Sequence, residues 1–128
     1  MADLEDRILL TVGPDAAFTH LSDVSNLPGH FAALRDARLV AADRVEVTAE
    51  VGGETVAGEA WLHVDPDRRR MTWGAPGPHD YRGELTVTGA GPGCEVVVRL
   101  HTEQAGGAGV QEGLRESLRL IGEQLGAA

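Results

Sequence analysis

Lysine is missing from this chain altogether: its 11 basic side chains are all arginine, set against 20 acidic residues for a formal net charge of -9. Without that amine, Schiff-base catalysis, pyridoxal phosphate attachment and the lysine of a phosphate-binding loop are excluded. The guanidinium groups that remain keep their proton, so a general base would have to be a histidine, aspartate or glutamate. The negative excess repels phosphate backbones and anionic bilayers, and nucleic acid is not an expected partner. Cysteine is almost absent too. Cys94 stands alone, so neither an internal disulfide nor a cysteine-based zinc site can form, and its valine-rich surroundings read as those of a small buried thiol. No apolar run approaches the roughly 20 residues that span a bilayer, and the acidic opening Asp3-Leu4-Glu5-Asp6 is unlike a secretory signal. Membrane insertion is therefore not expected, and the cytoplasm is the expected location. The five histidines are dispersed, and no Gly-x-Ser-x-Gly nucleophile motif occurs, so neither a metal nor another cofactor is anticipated.

What is present is 128 residues of ordinary globular composition, the length of one domain with one core, and residues 1–128 are read as a single domain. Ile8 to Val12 is a β-rich run closed by Gly13-Pro14, where a helix should begin: proline presets the first turn and Asp15 suits a helix N-terminus. A second short helix is expected after Asn26, with Asn26 as its cap and Leu27, Phe31 and Leu34 on one face. From Leu39 onward the period becomes two. Val45, Val47, Ala49 and Val51 alternate with charged and polar residues, and Thr55 to Val64, Arg69 to Trp73, His79 to Val87 and Cys94 to Thr102 follow as further strands between glycine- and proline-rich turns. Val110, Leu114, Leu118, Ile121 and Leu125 then draw one apolar stripe along a terminal helix. Strand, short helices, antiparallel strands and a long helix make an α+β order.

This layout, with Gly13-Pro14-Asp15, the junction Leu21-Ser22-Asp23-Val24-Ser25-Asn26-Leu27-Pro28, the strand end at Trp73 and Tyr81-Arg82-Gly83-Glu84-Leu85, resembles the START-like (SRPBCC) superfamily, polyketide cyclase/dehydrase and lipid-transport type. The resemblance implies a helix-grip fold: a curved antiparallel sheet wrapped around a long C-terminal helix, two short helices after the first strand, and a cavity between sheet and helix for a hydrophobic small molecule. It carries no catalytic residue onto any position of this chain.

Parity on the strands nominates the residues of such a cavity. His79 and Tyr81 share a face with Gly83 and Leu85, placing an imidazole beside a phenol, and Trp73 with Met71 offers a flat apolar wall on the next strand. His30 and Phe31, near the short helices, would border the mouth. Gly58 and Gly83 fall on inner faces, where a missing side chain favours bending or close approach of a ligand. Trp61 and His63 have the opposite parity, so an outward indole suits a homodimer contact. Three functions follow: binding of a lipid-like or polyketide-like molecule, a cyclase or dehydratase using a cavity His or Tyr, or a non-catalytic interaction module.

Overall fold

The computed structural model describes residues 2–26, 34–51, 54–74, 82–102 and 108–127. Strand β1 (Ala2–Leu10) leads through helix α1 (Pro14–Leu21) and a 3-10 turn (Val24–Asn26) to β2 (Leu34–Ala41), β3 (Arg44–Val51), β4 (Glu54–Asp65), β5 (Arg70–Gly74), β6 (Arg82–Ala90) and β7 (Gly93–Thr102), and helix α2 (Ala108–Leu125) closes the sequence of elements. All seven strands form one antiparallel sheet in the order β1-β7-β6-β5-β4-β3-β2. The chain thus meanders from β2 to β7, each strand beside its predecessor, and only β1 is brought in from the far end of the sequence.

Register sorts the side chains into two faces, because successive residues of a strand point to opposite sides. Leu10 pairs with Cys94, Ile8 with Val96 and Leu4 with Leu100. Across the next seam Val87 meets Val96, Leu85 meets Val98 and Gly83 meets Leu100. These residues form the inner face, with Val87, Leu85, Cys94, Val96 and Val98 all buried. Asp6 interrupts the row opposite Val98 and is half-buried, a position that the edge strand tolerates. The outer face carries charge ladders instead: Arg99 Nε donates to Glu5 at 2.5 Å, Arg70 pairs with Glu84 at 3.0 Å, and Arg38 pairs with Glu46 at 2.9 Å. Exposed pairs of this kind contribute little each; their effect is to keep that face wet.

Helix α1 starts at Pro14 and buries Ala17, Phe18 and Leu21 against β6 and β7. At its end the side-chain amide of Asn26 donates to the carbonyl of His20 at 3.2 Å, satisfying one of the backbone acceptors that a helix end leaves open. Leu34, expected on the second short helix, opens β2. The rest of that expected helix, Phe31 included, lies outside the described residues.

Helix α2 buries Leu114, Leu118 and Ile121, the stripe read from the sequence, and it packs chiefly on β1. Its C-terminus is fastened there. Gly126, at a φ of 86° that favours glycine, donates to Gly122 O at 2.9 Å and accepts from Thr11 N–H at 2.8 Å. Gly122 sits so close to β1 that a Cβ there would stand 2.8 Å from Ile8 Cδ1. The product is the expected α+β helix-grip arrangement: an open, curved antiparallel sheet with a long C-terminal helix on its inner side.

Candidate ligand-binding hollow

Cover over the inner face is complete on β7 and β6 and uneven beyond them. Val96 and Val98 on β7, Leu85 and Val87 on β6 and Met71 on β5 are no more than 2% exposed. Farther along, Leu62 on β4 and Val45 on β3 are still buried, but Trp73, Ala60 and Val47 are half-buried and Gly58 is exposed. Helix packing explains the contrast, since α2 sits on β1 and α1 on β6 and β7. The part of β3, β4 and β5 around Val47, Gly58 and Ala60 offers a less covered apolar surface with Trp73 at its border.

Two tryptophan–glycine pairs shape this region. Trp73 lies opposite Gly83 across the β5–β6 seam, and its indole covers the glycine: a Cβ at Gly83 would fall 2.2 Å from Trp73 Cε2. Trp61 pairs with Gly74 across the β4–β5 seam on the outer face, where a Cβ would fall 2.5 Å from the indole. An aromatic ring laid over a cross-strand glycine restores packing that the glycine lacks. The space expected at Gly83 is therefore filled by the chain's own Trp73. Gly58 is the contrasting case, with no atom of the described residues within 4 Å of where its Cβ would stand.

The sequence-nominated residues fall in different places. Trp73 is on the inner face and half-buried, at the edge of the open stretch. Met71 shares its face but is 2% exposed and belongs to the packed core, so it supports the wall from beneath and is not part of its surface. His79, Tyr81, His30 and Phe31 lie outside the described residues. Trp61 is on the outer face, half-buried over Gly74, with its ring 5.2 Å from that of His63. His20 meets Gln124 of α2 through Nε2 and Oε1 at 3.1 Å. One residue escaped sequence reasoning: Ser117, on the buried side of α2 and 6% exposed. Its spacing of three from Leu114 and four from Ile121 was the available signal.

Electrostatics separates the two faces. Arg99, through its hydrogen bond and charge, holds the Glu5 carboxyl below the usual carboxylate range on the outer face. Burial pushes the Cys94 thiol up, as expected of an inert core cysteine. A broad outer groove of about 660 Å³ is bordered by Asp3, Trp61, Thr72, Arg82, Arg99 and His101. Its charges are largely engaged with one another: His101 Nδ1 lies 2.5 Å from Asp3 Oδ1 and Arg99 is bound to Glu5. Among the described residues no three His, Cys, Asp or Glu side chains gather into a metal-holding group, and no helix is long and apolar enough to cross a membrane.

An open antiparallel sheet gripping a C-terminal helix, with apolar surface left uncovered on its inner side, defines the helix-grip class of ligand-cavity folds. Within that class the chain belongs to the polyketide cyclase/dehydrase and lipid transport family, whose model matches residues 1–125. A Deinococcus radiodurans protein of solved structure is 27% identical at a TM-score of 0.77, the match covering 97% of this chain and 98% of that one. The two-domain aromatase/cyclase BexL is 19% identical at a TM-score of 0.79 over 94% of this chain and 45% of its own. A START superfamily protein of Mycobacterium smegmatis is 13% identical at 0.76, covering 96% of this chain and 93% of that one. The last two likenesses are of fold. No curated protein matches the sequence significantly.

Proposed function

We propose that residues 1–128 act as one domain that binds a hydrophobic or aromatic small molecule, lipid-like or polyketide-like, between the inner face of the sheet and α2. The observation that carries this reading is the half-buried apolar stretch of Val47, Ala60 and Trp73 beside the open position at Gly58. Removing apolar surface from water stabilises a complex by roughly 25 cal/mol per Å² before ordering costs, and a tryptophan wall favours flat, ring-bearing ligands. Trp73 is the wall and Met71 its backing. On strand and helix parity, His79, Tyr81 and Phe31 join the proposed site. Family membership adds a second reading, a cyclase or dehydratase in which His79 or Tyr81 moves a proton; turnover of a ligand that co-purifies from the native host would separate it from simple binding.

The test uses the neutral fluorophore N-phenyl-1-naphthylamine. Saturable binding with quenching of tryptophan emission is expected for the unaltered chain. Gly58→Phe, placed where none of the described residues stands within 4 Å, should leave thermal unfolding intact and weaken that binding at least tenfold. An unaltered chain that shows no saturable binding, or a Gly58→Phe variant that binds equally well, would remove the proposal.

A further inference from the structure

Strand β2 closes the sheet on one side: it stands last in the strand order, next to β3, and among the described residues no strand lies along its outer edge. Such an edge presents a row of backbone donors and acceptors to any strand that comes alongside, and native sheets commonly cover it or charge it against pairing. The opposite edge, β1, is treated in both ways. Its end is bridged by the C-terminal tail, Leu10 to Ala127, and its start holds the acidic residues Asp3, Glu5 and Asp6. Among the described residues β2 has neither protection. It contains no proline, its Leu39 and Val40 side chains are 54% and 44% exposed, and its charges are mixed in sign, with Arg35, Asp36 and Arg38 all exposed.

Those charges are complementary to a copy of themselves. A two-fold axis normal to the sheet sets two β2 strands antiparallel and keeps each side chain on its own face, so it must pass through a residue, which then opposes its own copy. Centred on Arg35, Asp36 or Arg38, the axis opposes like charges. Centred on Leu39, it leaves Asp36 and Arg38 without an opposite charge. Centred on Ala37, it sets Asp36 of each copy against Arg38 of the other on the outer face, twice, with two small alanines meeting at the axis. Directly opposed side chains have Cβ atoms about 4.5–5.5 Å apart, and opposite charges in that position stabilise the pairing. Asp36 is available for the contact, since it enters no ion pair among the described residues. Arg38 bonds Glu46 of β3 at 2.9 Å, and an aspartate on its other side would complete an alternating row across the seam. The bulges of β2 set the extent of the match: its pairing is regular only from Asp36 to Leu39, the segment centred near this axis.

From these observations we infer that β2 is the interface of a homodimer, in which two copies of this chain join edge to edge about a two-fold axis through Ala37 and form one continuous sheet. Assembly closes at two copies, because the other edge of each sheet is protected at β1. The seam is short, so association is expected in the micromolar range. Sedimentation velocity of the unaltered chain from about 1 to 300 µM should show a reversible monomer–dimer equilibrium. Asp36→Arg and Arg38→Asp, each folded by circular dichroism, should each weaken self-association by about tenfold or more, since either change opposes like charges twice. Mixed in equal amounts, the two folded variants should associate within about threefold of the unaltered chain: the new arginine of one faces the new aspartate of the other, and Arg38 faces Asp36 across the second half of the seam. Hydrogen exchange in the unaltered chain gives a reading free of any substitution, in which the amides between Asp36 and Leu39 that do not face β3 gain protection as concentration rises. A chain that stays monomeric throughout this range, a mixture of folded variants that fails to associate, or a dimer that Trp61→Ser dissolves and Asp36→Arg does not, overturns the inference. So does concentration-dependent protection that spares β2.

Discussion

Gly83→Ala should destabilise the protein although it adds a single methyl group to a strand. A Cβ at position 83 would stand 2.2 Å from Trp73 Cε2 and 2.4 Å from Cζ2 and Nε1, more than 1 Å inside an ordinary carbon–carbon contact of about 3.5 Å. The atoms in the way belong to a rigid ring, so the whole indole must swing out over the open stretch of the inner face. Overpacking of this kind costs about 1–3 kcal/mol, offset by the roughly 0.5–1 kcal/mol by which alanine is favoured over glycine in a strand. A net loss of about 1–2 kcal/mol follows, lowering the melting temperature by roughly 3–8 °C for a domain of this size. Gly58→Ala is the matched control, with none of the described residues within 4 Å of the new Cβ, and it should leave the melting temperature unchanged or raised by a degree or two. Melting temperatures by circular dichroism measure the first effect, and tryptophan emission in a Trp61→Phe background isolates the ring of Trp73, which should shift to the red in Gly83→Ala. Equal stability of the two variants, or an unshifted Trp73 spectrum, would refute the idea that this ring covers the glycine.

Gly93→Ala should be harsher, because its Cβ would lie 1.9 Å from the backbone oxygen of Leu10; pairing of β1 with β7 must open to admit it, and failure to fold or a melting temperature at least 10 °C lower is expected by circular dichroism. Cys94, 0% exposed with its thiol pushed up by burial, should resist Ellman's reagent at pH 8 and react fully once guanidinium unfolds the chain. Glu5, whose carboxyl Arg99 holds below its ordinary value of 4.5, stabilises the folded state above that pH and loses its effect as pH falls through the lowered value. The melting-temperature gap between the unaltered chain and Glu5→Gln should accordingly be constant above about pH 5.5, close as acidity increases, and narrow in high salt.

Much of the fold was legible because the sequence is locally consistent. Alternation from Val45 to Val51 and from Cys94 to Thr102 fixed both strands and their inward faces, and the stripe through Leu114, Leu118, Ile121 and Leu125 fixed α2. Strand β2 was not legible, for a physical reason. Its pairing with β3 slips between Leu34 and Asp36 and again between Leu39 and Ala41, and such bulges destroy the two-residue period that betrays a strand. As an edge strand it also buries little: Leu39 and Val40 are 54% and 44% exposed, so no covered face imposes an apolar pattern. The tie between Asn26 and the end of α1 was missed because an asparagine side chain can bond backward as well as forward along the chain, and only the spatial partner reveals the backward bond.

The candidate site was legible in its parts and illegible in its boundary, and the two inner-face glycines show why. Gly58 and Gly83 have the same local grammar, each a glycine at an inward position of an alternating strand. Register gives them different neighbours: Val47 stands across from Gly58, while Trp73 stands across from Gly83. A valine side chain is too short to reach over the facing backbone, and the position stays open; an indole is long enough, and it closes. The border of the hollow is therefore set by which residue each glycine meets across a seam, a long-range property that depends on turn lengths and bulges several residues away. Slipping β5 against β6 by two residues would keep every inward side chain inward and the core apolar, yet would lift Trp73 off Gly83 and move the wall of the site.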